Sequence, residues 1–477
     1  MEGLWVGFIS PADILQEFLP ESKRLPPRQS RRLFGRSLEQ TAETATNTKG
    51  DFQVQFITNS KLIPGFQIVD PSDNPRIKSR NDGPTGTNLL MYAHNVNWKD
   101  NGTKFDKLEL NLKLMSSLSG DPFHDPEDST GRTKWISESE RGEKCLGQLA
   151  EFATEWCSRQ HRTFAFTILI FGRYARFIRW DRAGAVVSGK FDYTEQSQYL
   201  IDFLWRFVHL APECRGKDTT VRDPTPEEEQ IATDKLAEWK EPGSDNGLIV
   251  YCILDGRLKR EFIGWDSTDG QPLTGRATRA CPVWDIQQES ICFLKDSWRE
   301  TYRETESGIL RWLNFKEVRH VPTLICGGDI YQRTTLSQVF AATEFQNEYG
   351  INEQIHHRFV VDVVGRPLCL FKSSHLLVMA VLQAYIGYMD AFRKCGVLHC
   401  DISEGNIMFD ENWNGVLIDW DLAELHHGGN TTEMAGSHYR MGTRQFMSAL
   451  SLIYPEKPHS LQDDIESFLW VIIYCIL

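Results

Sequence analysis

Apolar positions recur at helical spacing across Ser373–Lys394. Leu376, Leu377, Met379, Ala380, Leu382, Tyr385, Ile386, Met389 and Phe392 form one broad face. Cys395-Gly396 predicts its end, because glycine accepts the left-handed cap. The unbroken apolar run Thr163–Phe171 predicts a buried strand, and Tyr174–Trp180 follows Gly172 as a hairpin partner. Ala150–Trp156 continues a helical pattern, Leu108–Lys113 alternates like a strand, and Tyr199–His209 is apolar all round, a buried helix or strand. Further on, Leu248–Leu254, Phe262–Trp265, Val283–Ile286 and Ile291–Lys295 read as short strands. Four regions follow from this pattern: a basic, disordered tail over 1–45; a mixed α/β domain over 46–215; a polar, acidic linker over 216–245 with a helix at Glu227–Trp239; and a strand-then-helix domain over 246–477.

Charge and cysteine usage narrow the function. A net charge of −13 argues against a general nucleic-acid binder, whose footprint should be basic. The 11 cysteines include no C-x-x-C and sit singly in apolar runs, as Cys252, Cys292 and Cys326 do, which fits free thiols in a reducing compartment. Met1–Pro20 has acids and no basic lead, unlike a signal peptide, and the apolar run Phe468–Leu477 is too short to span a bilayer. The expectation is an intracellular protein, cytoplasmic or nuclear, with neither membrane nor nucleic acid as partner. Lys23, Arg24, Arg28, Arg31, Arg32 and Arg36 read first as a solvated basic tail and second as a nuclear-import patch.

The chemistry gathers after the long helix. Val397-Leu398-His399-Cys400-Asp401-Ile402-Ser403-Glu404-Gly405-Asn406-Ile407-Met408-Phe409 leads through a turn at Asp410–Gly415 into Val416-Leu417-Ile418-Asp419-Trp420-Asp421. A hairpin of the two short strands brings Asn406 and Asp419 together, and oxygen-only ligation of that kind suits Mg²⁺. Asp401 can take a proton from an attacking hydroxyl. His-x-Asp-x-x-x-x-Asn followed by an apolar strand and Ile-Asp is the pattern of phosphoryl transfer by protein kinases. That chemistry also needs a strand lysine and a helix glutamate upstream. Ile291-Cys292-Phe293-Leu294-Lys295 supplies the lysine; Glu306 is the favoured partner, with Glu304 in reserve, because Gly308, Ile309, Leu310 and Leu313 continue an apolar helix face. Gly275, in Gly270-Gln271-Pro272-Leu273-Thr274-Gly275, is the candidate for close approach to the phosphates, although no full G-x-G-x-x-G is present.

With these residues in place, the sequence resembles the eukaryotic protein-kinase fold, and more closely the fungal-type protein kinase family. The resemblance rests on "LTGRATRACPVWD", "FLKDSWRE", "ESGIL", "RFVVDVVGRPL", "GVLHCDISEGNIMF", "LIDWDLAEL", "GTRQFMS" and "SLQDDIESFLWVIIY", and upstream on "FIRWDRAGAVVSGKFDY" and "LAPECRGKDTT". It reaches from about residue 50 onward and implies an α+β architecture: a two-lobed kinase-like domain, β-rich then helical, preceded by a smaller mixed α/β domain. It implies ATP and Mg²⁺ as cofactors, a protein substrate phosphorylated on Ser or Thr, Lys295 and Glu306 at the ATP phosphates, Asp401 as catalytic base, and Asn406 and Asp419 as metal ligands. His399 would brace the catalytic loop and Asp464 would anchor it.

Departures from the family pattern bear on activity. Cys400 replaces the arginine that receives a phosphorylated activation loop. Ser403 stands where many kinases carry a lysine, Trp420-Asp421 replaces Phe-Gly, and Met447-Ser448-Ala449 stands near the expected Ala-Pro-Glu. Because the chain stops soon after Asp464 on an apolar run, the expectation is a C-terminally truncated helical lobe with apolar surface exposed. Two alternatives follow: an ATP-binding pseudokinase scaffold, and a small-molecule phosphotransferase of the aminoglycoside or choline kinase type. In the upstream domain, Asn88 and Asn111-x-Lys113 stand where a metal-dependent nuclease would carry carboxylates. Amides bind Mg²⁺ less well and bring no charge to activate water, so the pattern points to regulation or substrate docking instead.

Overall fold

The computed structural model describes residues 3–26, 61–71, 87–98, 103–115, 121–125, 135–240, 246–256, 258–266, 271–341, 351–425 and 442–477. Two compact units result: unit 1 is Met1–Thr219 with Thr268–Ala277 and Arg333–Gln354, and unit 2 is Thr220–Ser267, Thr278–Gln332 and Ile355–Leu477. The expected division at 215 and 246 is thus replaced by one at 219, and unit 1 takes in two later segments.

Unit 1 is built on a mixed sheet of β1 (Trp5–Ile9), β2 (Phe66–Val69), β3 (Thr87–Ala93), β4 (Leu110–Met115), β5 (Phe164–Phe171), β6 (Tyr174–Asp181), β7 (Ala185–Ser188) and β8 (Phe191–Asp192). Its order is β1-β7-β6-β5-β4-β3-β2, with β8 on β6. Strands β4 and β5 are parallel, and helix α2 (Glu140–Ser158) crosses between them, following α1 (Pro11–Phe18) in the chain. One sheet face, with Leu89, Leu112, Ile168 and Phe177, packs on α1 and α3 (Ser197–His209). The other, with Leu90, Tyr92, Leu169 and Trp180, packs on Leu149, Phe152 and Trp156 of α2. Covering on both faces explains why Thr163–Phe171 reads as a continuous apolar run rather than an alternation. Tyr199–His209 settles as the helix α3.

The expected N-terminal tail is corrected over its first part. Trp5–Ile9 is a strand running parallel to β7, and Ser10 caps α1 by accepting the Asp13 N–H at 3.1 Å. Its apolar residues Ile14, Leu15 and Phe18 are buried in the core. Residues 27–45, with most of the basic patch, lie outside the described residues. In β3 and β4, Asn88 faces Lys113 directly and Asn111 lies diagonally on the same face, all three 5% exposed or less.

The later segments are held by neighbouring residues at the end of β6. The Asp181 carboxylate accepts the N–H groups of Leu336 at 2.9 Å and Ser337 at 3.1 Å, opening the short helix Ser337–Ala341. Arg182 donates to the carbonyls of Pro272 at 2.9 Å and Leu273 at 3.1 Å, and its own carbonyl accepts the Gly275 N–H at 2.8 Å.

Unit 2 opens on a seven-stranded sheet of β9 (Val221–Arg222), β10 (Leu248–Asp255), β11 (Leu258–Trp265), β12 (Arg279–Asp285), β13 (Ser290–Glu300), β14 (Leu324–Thr334) and β15 (Gln354–Val361), ordered β14-β15-β13-β12-β11-β10-β9. The span read as a linker belongs to this sheet. Helix α4 (Pro226–Lys235) starts from a Thr225–Glu228 capping box, and Ala232 and Leu236 are buried with Leu248, Val250, Ile263 and Trp284. The acidic composition concealed these two apolar anchors.

Helix α5 (Glu306–Phe315) is capped by Thr305 and buries Ile309, Leu310 and Leu313. The long helix α6 (Ser374–Cys395) ends on the expected cap, Gly396 at φ +66°, and starts from Ser373, whose side chain accepts the Leu376 N–H. It is long and apolar enough to cross a membrane by length and composition, and Leu377, Ala380, Val381, Ala384 and Tyr388 pack it into the core of unit 2. After β16 (Arg366–Pro367) and β17 (Val397–Leu398), strands β18 (Ile407–Phe409) and β19 (Gly415–Leu417) pair antiparallel. Strand β20 (Glu424–Leu425) pairs with β17, and α7 (Leu461–Ile476) packs on α6 through Phe468 and Val471. The outer faces of this end leave Leu469, Ile473, Tyr474, Leu450 and Ile453 exposed.

Gly415 sits against α6 so closely that a Cβ there would stand 2.1 Å from the Ala380 carbonyl oxygen. Gly415→Ala is therefore expected to destabilise unit 2 by about 1–3 kcal/mol, as overpacking does. A chemical-denaturation midpoint equal to that of the unsubstituted chain would refute the contact.

Candidate active site

The β13 strand places Lys295 inward, beside the first turn of α5. Its Nζ lies 2.6 Å from Glu306 Oε2 and 2.6 Å from Asp419 Oδ1. Glu306 is the partner, not Glu304: the Thr305 cap starts the helix one residue before it. Its other oxygen accepts the Trp420 N–H at 3.2 Å, so one buried carboxylate ties the strand lysine to the segment after Asp419. Asp421 joins the group; Glu306, Asp419 and Asp421 each offer an oxygen within 4.8 Å of the others.

Three carboxylates around one ammonium set the electrostatics. Burial alone would lower the Lys295 pKa, but Glu306, Asp419 and Asp421 outweigh it and hold the lysine firmly protonated. Burial, aided by the Asp419 and Asp421 charges and opposed by Lys295, pushes Glu306 up to about 7. The cluster carries more negative charge than its lysine neutralises, which prepares it for a cation.

The catalytic-loop residues meet below α6. The β18–β19 hairpin forms as expected, and Ile418 N–H donates to the Asn406 carbonyl at 3.0 Å. Asn406 Nδ2 donates to the Asp401 carbonyl at 2.8 Å and to Asp401 Oδ2 at 3.2 Å, which leaves Oδ1 as its atom for a cation. Asp401 Oδ1 accepts the N–H of Thr443 at 2.7 Å and its hydroxyl at 2.8 Å. His399 is fully buried, bonds to the Ile418 carbonyl at 3.0 Å and packs edge-on against Trp420. Burial keeps its imidazole below the usual histidine range, so it braces the loop as a neutral group. Asp464, on α7, accepts the N–H groups of His399 at 2.9 Å and Cys400 at 3.2 Å. Cys400 and Asp419 both sit at positive φ, 65° and 61°, where a non-glycine residue must be held by its surroundings.

Lys295, Glu306, Asp401, Asn406 and Asp419 thus all lie in unit 2. Gly275 does not: it belongs to unit 1, with φ +81° and its N–H taken by the Arg182 carbonyl. Thr443 and Asp421 were not singled out as site residues. The segment "GTRQFMS" marked the first, but nothing in its spacing says that a threonine meets Asp401 42 residues earlier in the chain. Asp421 was visible only as a departure from Phe-Gly.

The fungal protein kinase family matches residues 129–476, nearly three quarters of the chain. The chain belongs to the fungal protein kinase family. The match starts within unit 1, later than the residue 50 from which the resemblance was read, and takes in all of α3, the Lys295–Glu306 pair and the loop carrying Asp401. Comparison with curated proteins gives no match. Membership of this kinase family makes the chain a phosphotransferase by descent, with an α+β fold of several sheets.

Proposed function

We propose that this family member is an ATP- and Mg²⁺-dependent protein kinase that phosphorylates Ser or Thr hydroxyls, working inside the cell. The observation that carries the reading is the buried Lys295 held 2.6 Å from both Glu306 and Asp419, together with Asn406 bonded to Asp401. In this reading the sheet of unit 2 is one lobe and the helices around α6 the other, with unit 1 as an N-terminal domain. All 11 cysteines are free thiols, which agrees with a reducing compartment.

The donor set fits Mg²⁺: Asp419, Asn406 Oδ1 and the neighbouring Asp421 would be its oxygen ligands, and such an ion takes substrate phosphates and waters as the rest. When bound, the ion supplies neutralisation of phosphate charge. The chain's own residues do the following. Lys295, fixed by Glu306, contacts the non-transferred phosphates. The Asp401 carboxylate orients the acceptor hydroxyl. As that oxygen bonds to the γ-phosphorus, the bond from phosphorus to the β–γ bridging oxygen breaks. ADP leaves with that electron pair, and the hydroxyl proton passes to Asp401.

Thr443 on the Asp401 carboxylate favours a protein acceptor, since it belongs to the segment that resembles a peptide-binding activation loop. Ser403, buried where a lysine would neutralise the transferred phosphate, favours slow turnover and keeps the pseudokinase reading as the alternative. The test is a melting-temperature titration with ATP, with and without Mg²⁺, followed by labelled transfer to protein, aminoglycoside and choline acceptors. A ligand that binds only the folded state raises Tm by mass action. A Mg²⁺-dependent rise with label on protein is expected; binding without transfer identifies a scaffold, and label only on a small molecule overturns the protein-kinase reading. Asp419→Ala is expected to remove the Mg²⁺-dependent part of the rise. Its persistence would move the metal site elsewhere.

A further inference from the structure

Asp464 anchors the catalytic loop through two backbone N–H groups, yet it is 1% exposed, and a buried carboxylate needs a cationic partner. His459 supplies one: its Nε2 lies 2.9 Å from Asp464 Oδ1, and its side chain is 22% exposed at the rim. A small pocket of about 20 Å³ opens beside it, lined by Cys400, Asp401, Thr443, Ser448, His459 and other residues. The same imidazole that grips the anchor therefore borders the space in front of the catalytic base.

We infer that His459 is a positioning residue of the phosphoryl-transfer site: through Asp464 it holds the backbone of His399 and Cys400, and with it the aim of Asp401. The inference rests on the proposed kinase reading for its effect on turnover, but not for its effect on the loop. Cys400 shows why a grip is required. Its φ of +65° is costly for a cysteine, and its N–H bonds to Asp464 at that strained point. A weaker Asp464 frees the turn to relax and carries Asp401 away from Thr443.

The anchor is also titratable. Groups facing His459 are Asp464, Asp463 and Glu424, while Lys457 is committed to Asp463. Burial works against the imidazolium, but these carboxylates, Asp464 first, outweigh it and raise the His459 pKa above its ordinary value. Because the folded value is the higher one, the stabilisation is complete below the unfolded histidine pKa of about 6.5 and is lost as pH rises through the folded value. Turnover is therefore expected to fall along an alkaline limb set by His459.

The test uses the full chain and two readouts. His459→Ala is expected to lower kcat about tenfold, the loss of one charge-assisted hydrogen bond, with the KM for ATP unchanged. His459→Gln keeps a donor without the charge and is expected to show, at every pH, the lower kcat that the unsubstituted chain reaches above its alkaline limb, with no limb of its own. The second readout is alkylation of Cys400, which is 3% exposed, followed by mass spectrometry at one pH with the buried Cys281 as internal control. Labelling of Cys400 is expected to rise at least severalfold in His459→Ala relative to Cys281. Unchanged kcat and unchanged labelling would overturn the inference. If the unsubstituted chain transfers phosphate to no acceptor, the kinase reading fails while labelling still decides the role of His459. Should His459→Ala not fold, His459→Gln decides: a pH profile identical to that of the unsubstituted chain overturns the inference.

Discussion

Asp401→Asn is expected to lose about 10²–10⁴-fold in phosphoryl transfer while binding Mg²⁺-ATP with unchanged affinity. The substitution removes the group that takes the hydroxyl proton and almost nothing else. Thr443 can still donate its N–H and hydroxyl to the amide oxygen, and Asn406 can still donate to the Asp401 backbone carbonyl. Lys295, Glu306 and Asp419 hold one another through the Lys295 ammonium, so the nucleotide end of the site should be intact. Single-turnover transfer and calorimetric ATP binding separate the two effects. Equal transfer by the variant would remove Asp401 from the mechanism. Joint loss of transfer and binding would mean that the loop had collapsed, and that Asp401 serves structure more than proton transfer.

The contrast between Glu306 and Gly275 shows what the residues disclose by themselves. Glu306 was legible because a helix must begin somewhere: Thr305 is a good cap, Gly308 and the apolar Ile309, Leu310 and Leu313 fix the buried face, and the first-turn glutamate then points inward. The Asp401–Asn406–Asp419 spacing was legible for a similar reason, since a two-strand hairpin leaves one way to bring its ends together. Gly275 was not. A single glycine with open space around its Cα marks a turn, and only the distant Arg182 decides where that turn is bound. The same limit hid Thr443 and His459, whose partners lie 42 and 5 residues away but on different elements. It also hid the docking of α4, a helix expected within a linker, where two apolar residues in an acidic stretch outweigh the composition once a sheet lies beneath them.

The largest stability effect is expected for Lys295→Met. Three carboxylates, Glu306, Asp419 and Asp421, share this one ammonium, which is 12% exposed. Removing one partner of a buried charge pair costs about 3–5 kcal/mol, because the other charge stays buried and unpaired. The loss is expected to depend on pH. Burial already holds Glu306 up at about 7, well above its unfolded value. Between the two values the folded state binds more protons than the unfolded state, so stability falls as pH rises through that window. Without the ammonium the carboxylates repel one another more strongly, the folded values rise further, and the window extends upward. The variant should therefore approach the unsubstituted chain in acid and depart from it towards neutrality. Mg²⁺ should raise its Tm more than it raises that of the unsubstituted chain, because the ion supplies charge the lysine no longer does. Thermal unfolding from pH 5 to 8, with and without Mg²⁺, checks both claims. A deficit independent of pH would mean that Lys295 acts through packing of its aliphatic stem, and the cluster would then not be the charged centre on which nucleotide binding depends.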